Sequence, residues 1–244
     1  MRTAFRIVAG VFGVLAFAFS VPFAIISFLD EEQDIHLVHN LSGLAVYGVI
    51  LGLGLLAVAA RPERTIAVFQ GLALAAVGAL IGGLMSGDLV EGAWFAPAVL
   101  VMILVALHPE RKALVRAGTL QPGLIVLVAL AAVPLVAYSL TQARLQSEGS
   151  PLNPHVDLHH YGAMAAGSLM LLGFSAAPAL GAIGWRTAAW LAGVAMAIIA
   201  LGSLAYGDHE SALDAIWAWL ALGWAVAFVG IAQFASRGEE AMAR

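Results

Sequence analysis

Eight long apolar stretches, each free of charge, alternate along the chain with short segments that collect nearly all of its charged residues and histidines. The stretches are residues 7–28, 41–60, 65–87, 92–107, 119–143, 161–185, 187–207 and 215–236. Crossing the hydrocarbon core of a bilayer takes about 20 residues of helix, and apolar runs this long are far too long for barrel strands. With no water to satisfy backbone groups, each run is predicted to be a helix. The fourth reaches a spanning length only if its helix begins near Leu89 and carries Glu91 in its first turn. The sixth is long enough to include a glycine-rich turn at 181–184.

Composition supports this pattern. Of 244 residues, 62% are hydrophobic and 11% are charged, whereas soluble domains carry roughly a quarter charged residues. A net charge of −4 offers no basic surface for nucleic acid. With no cysteine, disulfides, thiolate metal sites, iron–sulfur clusters and covalently attached haem are all excluded. The expected setting is a cytoplasmic-type (plasma) membrane, with the lipid bilayer as partner. A homodimer or a larger membrane complex is left open.

The loops sort by charge. With the N-terminus in the cytoplasm and eight crossings, Arg2, Arg6, Arg61, Arg64, Arg111, Lys112, Arg116, Arg186, Arg237 and Arg244 all lie inside, and Arg144 alone lies outside. This positive-inside bias places both termini in the cytoplasm. Arg2 and Arg6 ahead of an apolar run also fit a secretory leader, but the fifth stretch repeats the pattern of the first. Val21-Pro22 with Ser27 reappears as Val133-Pro134 with Ser139. A cleaved leader has no reason to match an internal helix.

The match continues. His39 aligns with His160, and His36 falls opposite Asp157. Gly82, Leu84 and Gly87-Asp88 align with Gly202, Leu204 and Gly207-Asp208. Two four-helix halves, residues 1–117 and 118–244, are therefore expected as a parallel repeat about a pseudo-twofold axis along the membrane normal. Pro22 and Pro134 interrupt the hydrogen bonding of their helices at matching places. Gly48/Gly52, Gly78/Gly82 and Gly83/Gly87 have the spacing that lets helix backbones approach closely.

Six of the seven histidines fall at the extracytoplasmic ends: His36, His39, His155, His159, His160 and His209. Asp30, Glu31, Glu32, Asp34, Asp88, Glu91, Glu148, Asp157, Asp208, Glu210 and Asp214 lie on that side too. Asn153-Pro154 reads as a helix cap followed by proline at the first helical position, which puts His155 and His159 on one face with His160 beside them. Asp34 can cap the second helix and set His36 and His39 on one face. Imidazoles at these spacings can converge on one cation that neighbouring carboxylates ligate or orient. The expected metal residues are His39, His160, His36, His155, His159, His209, Asp88, Asp157 and Asp208, with His39 and His160 central. Asp88, Glu91 and Glu210 also suit helix N-termini, and the spacing from Ser211 to Asp214 suits a capping box. A donor set of imidazole and carboxylate fits divalent Zn, Fe, Mn, Ni or Cu; a b-type haem held by His39 and His160 is the lesser alternative.

The run His155-Val-Asp-Leu-His159-His160 locally resembles the histidine boxes of membrane desaturases and hydroxylases, over six residues. Those enzymes gather more histidines, in several boxes, on the cytoplasmic side. The seven-span zinc proteins of the ceramidase and adiponectin-receptor group and the duplicated eight-span haem A synthases differ in motif order or ligand pattern, and no family is assigned. Four functions remain open: a metal centre for hydrolysis or metal handling, a small-solute or proton-coupled transporter, a b-haem redox protein, and a non-catalytic membrane subunit. No ionisable residue lies in the middle of any stretch, which weighs against transport.

Overall fold

The computed structural model describes residues 2–29 and 36–242, and within them every regular element is helical. Eight helices carry the fold. They are α1 (Arg2–Leu29), α2 (Leu37–Ala60), α3 (Ile66–Met85), α4 (Ala96–Leu107), α5 (Pro122–Glu148), α6 (His160–Ala179), α7 (Trp185–Ala205) and α8 (Ala215–Met242). Asp30, Glu31, Glu32 and Asp34, with the expected cap on α2, lie outside the described residues.

All except α4 contain a stretch long and apolar enough to cross a membrane, so the chain reads as a multi-pass membrane protein with seven candidate spans. Helix α4 has 12 residues, about 18 Å of helix. It does not begin near Leu89, the start that a spanning length would have required. The Asp88 carboxylate accepts the Gly92 N–H at 3.0 Å, and Ala93 takes a left-handed φ of 54°. Those two features hold the chain in turns up to Phe95 and stop the helix from starting earlier. At the other end of the sixth stretch, α6 closes at Ala179, and Gly181 (φ 64°) and Gly184 (φ 84°) make the expected turn.

Helices α3 and α6 pack against each other at the centre, with α2 and α7 beside them, while α1, α5 and α8 lie outside. Lipid tails are as apolar as leucine, so helices in a bilayer associate through close packing rather than through expulsion of water. Small residues make this contact. A Cβ added at Gly78 would stand 2.4 Å from the Leu169 carbonyl oxygen, and one at Gly82 would stand 2.4 Å from the Ala166 Cα. The outer helices expose Ile7, Phe19, Leu130, Val133, Ile216 and Trp219, as a lipid-facing surface requires. In the middle of α2, Leu44–Leu53 is wound as a π-helix, a wide form that is uncommon at this length.

The arginine-rich end is closed by polar anchors. The Gln70 amide donates to the carbonyls of Leu114 (2.9 Å) and Arg116 (3.0 Å), tying the segment between α4 and α5 to α3. His108 is buried against the edges of Phe5 and Phe69, and its Nδ1 accepts the Glu110 N–H.

Candidate metal centre

The histidine-rich end forms where the starts of α2 and α6 meet the hairpin between α7 and α8. His36 directly precedes α2, and His39 lies in its first turn, 6% exposed. Asn153 caps the short helix Pro154–Asp157 by accepting the His155 N–H at 2.9 Å, as expected for an Asn-Pro start. That helix lasts one turn. His159 then takes a left-handed φ of 58°, and α6 restarts at His160.

This break changes which histidines converge. His155 and His159 do not share a helical face, contrary to the sequence-based expectation, because the reversal at His159 turns its ring away. His155 and His160 come together instead. A ring nitrogen from each of His36, His39, His155 and His160 lies within 4.8 Å of the other three. The four cross-pairs between the two segments have ring centres 5.1, 4.7, 5.0 and 4.7 Å apart, and His155 and His160 are 5.7 Å apart. Imidazoles bound to one ion at a metal–nitrogen distance of about 2.05 Å have neighbouring ring centres roughly 4.5 Å apart in a square plane and roughly 5.2 Å apart in a tetrahedron. The four cross-pairs lie between those limits, and the His155–His160 separation lies between the roughly 5.2 Å of a tetrahedron and the roughly 6.4 Å across the diagonal of a square plane.

Each of these four residues keeps one buried ring nitrogen with no hydrogen-bond partner among the described residues: Nδ1 of His36, His39 and His160, and Nε2 of His155. Buried polar atoms are seldom left so. For two of them the surrounding hydrogen bonds fix the tautomer. The Ser211 hydroxyl donates to Gln142 Oε1 at 3.0 Å, so at its 3.0 Å contact with His39 Nε2 it must accept. His39 therefore carries its proton on Nε2, and its unpartnered Nδ1 is a bare lone pair. On the other side Tyr161 donates its hydroxyl to Glu210, so at 3.5 Å it accepts from His155 Nδ1. That leaves His155 Nε2 bare. Both relays run away from the cluster, the usual arrangement behind metal-ligating imidazoles.

His209 adjoins the cluster, its ring centre 4.7 Å from that of His39 and 5.6 Å from that of His155. Burial, followed by the neighbouring His155 and His209, lowers the His36 pKa below the ordinary imidazole value and favours the neutral ring that a metal requires.

Asp88 and His159 belong to a second group with Glu91. The buried Asp88 carboxylate accepts from Gly92 N–H and from the Trp94 indole (3.3 Å) and lies 2.9 Å from His159 Nδ1, a close contact not aligned as a hydrogen bond. These protein contacts occupy the carboxylate, so it acts first as an anchor for the α3–α4 turn. Asp157 and Asp208 are exposed and join neither group. Ser211, Gln142, Tyr161 and Glu210 were not named as site residues from sequence. Ser211 looked like half of a capping box, but α8 begins only at Ala215, and the Ser211 hydroxyl turns inward instead.

No family model, curated protein or solved structure matches the chain.

Proposed function

We propose that this is a membrane protein whose His36, His39, His155 and His160 bind one divalent transition-metal ion at the extracytoplasmic ends of its helices. One observation carries this reading: four buried ring nitrogens, each without a partner among the described residues, on imidazoles that converge within 4.8 Å. The donor set is all nitrogen and lies between square-planar and tetrahedral, which suits copper(II), nickel(II) or zinc better than oxygen-seeking manganese. A bare ion fits better than b-type haem, because His36 and His155 crowd the space a porphyrin between His39 and His160 would need. Metal handling or metal-assisted hydrolysis follows from such a centre.

Helix packing supports a duplicated architecture. Helix α1 packs on α2 as α5 packs on α6, and α2 packs on α7 as α6 packs on α3. Helix α3 meets α4 as α7 meets α8. Each proposed half thus gives its second helix to the third helix of the other, which sets His39 and His160 opposite one another. The extracytoplasmic placement rests on the charge of the loops.

The test is elemental analysis of the purified protein after dialysis against each candidate ion, beside His39→Ala and His160→Ala. One ion per wild-type chain, lost in both variants, is expected. Equal metal content in all three would refute the centre.

A further inference from the structure

We infer that the cavity beside His39 and His160 binds a small apolar monocarboxylic acid, whose ionised carboxylate ligates the metal ion and accepts a hydrogen bond from Ser42. This deepens the metal reading and rests on it for the ion.

The cavity has a volume of about 360 Å³, within the range of about 300–1,000 Å³ usual for small-molecule sites. His39 and His160 border it and His36 and His155 do not, so it meets the proposed centre from one side. It opens outward by its own mouth, between α1, the α3–α4 turn and the approach to α6. Phe19, Gly92 and Leu158 border it there, and Phe19 and Leu158 are exposed. Away from the histidines its wall is mainly apolar, with Val46, Trp94, Met164, Leu171 and Met196. A ligand with an apolar chain therefore has an entrance, a bed for the chain and an ion for the polar end.

Charge selects that polar end. The four proposed ligands are neutral imidazoles, so they leave both positive charges of the ion uncompensated. Copper(II) and nickel(II) favour tetragonal coordination, in which four imidazoles leave a position for a further donor. Among the described residues, no Asp, Glu, Lys or Arg lines the cavity. Its wall thus neither repels an anion nor supplies it with another counter-ion. A carboxylate is costly to bury unless paired, and the ion is the partner this cavity offers.

Ser42 is an independent sign of the same ligand. It lies three residues after His39, which puts both on one face of α2, and it borders the cavity. It is 7% exposed, and its hydroxyl has no hydrogen-bond partner among the described residues. Ser20 and Ser168, which border the same cavity, instead bond carbonyls of their own helices. A buried hydroxyl is seldom left unpaired. One carboxylate oxygen can ligate the ion while the other accepts from Ser42, so a single group satisfies both. An alcohol brings no charge, and an amine that ligates the ion has no lone pair left for the hydroxyl.

The test uses full-length protein in lipid nanodiscs, loaded with one equivalent of copper(II). Visible absorption and electron paramagnetic resonance spectra are recorded before and during titration with octanoate, octanol or acetate. Octanoate should shift the copper spectra saturably, and octanol should not. Acetate lacks the apolar chain and should bind at least about tenfold more weakly than octanoate. Ser42→Ala, which removes a hydrogen bond to a charged group, and Ser168→Leu, which fills the cavity, should each weaken octanoate about tenfold. A wild-type centre that octanoate leaves unchanged, an equal shift by octanol, equal affinity for acetate, or undiminished affinity in both variants would overturn the inference and leave the centre standing. A wild-type protein that holds no copper before any addition would overturn the centre, and the inference with it.

Discussion

Two hairpins at the histidine-rich end begin alike, Gly87-Asp88 after α3 and Gly207-Asp208 after α7, and end differently. In the first, Asp88 is buried and gathers Gly92 N–H, the Trp94 indole and His159, so one carboxylate holds the whole turn. In the second, Asp208 is exposed, and the following residues do the work. His209 lies against His39 and His155, Glu210 accepts from Tyr161, and Ser211 bridges His39 to Gln142. The same dipeptide thus anchors a turn in one place and only introduces a support for the clustered imidazoles, the proposed metal ligands, in the other. What separates them is the environment of the residues three to six positions on. Trp94 gives Asp88 an indole to bind, whereas Ser211 turns its hydroxyl inward.

The sharpest way to break this contrast is at the ligands. His39→Ala should abolish retention of the ion on dialysis, while Asp208→Asn should leave it unchanged, as read by elemental analysis. Substitution of the second hairpin's support comes next. Ser211→Ala or Gln142→Leu removes the relay that fixes the His39 tautomer, and the affinity should fall about 10–100-fold, measured by competition with a chromogenic chelator. In the first hairpin, Asp88→Asn should instead cost about 1.5–3 kcal/mol of stability through weakened hydrogen bonds to a buried charge, seen as a lower midpoint in thermal unfolding, with metal content preserved. Loss of metal in Asp88→Asn at unchanged stability would erase the distinction between the hairpins.

The smallest effect belongs to His108 at the opposite end, a buried histidine without imidazole neighbours. Burial lowers its pKa and Glu110 partly opposes that shift. Its folded-state value therefore lies below the ordinary 6.5, and the neutral form is the one that packs. Its contribution to stability is complete above that value and is lost as the pH falls from about 6.5 toward the lowered pKa. His108→Phe should flatten the acid side of the stability-against-pH curve without changing metal content.

Seven of the eight stretches could be read from sequence because apolar runs of spanning length have one solution in a bilayer. The fourth reads as short from sequence and ends at Leu107 as expected, but its start could not be read, since it depends on a side-chain contact from Asp88 and on the backbone at Ala93. At the site, the residue type and the end of the bundle could be read, and His36, His39, His155 and His160 were among the residues named. The separation of His159 from His155 could not, because it turns on one left-handed residue that no spacing rule marks. Ser211 is far in sequence from His39, Gln142 from Ser211 and Glu210 from Tyr161, and only Tyr161 lies near its imidazole partner, His155. Only the packing of α5 and the second hairpin onto α2 and α6 brings them into place.

The most direct test of the centre is the electron paramagnetic resonance spectrum of the protein loaded with one equivalent of copper(II). The expected result is a single species with superhyperfine splitting from four equatorial nitrogens, reduced to three or fewer in His160→Ala. A spectrum of loosely held aqueous copper, or a wild-type pattern that survives in both His39→Ala and His160→Ala, would contradict it.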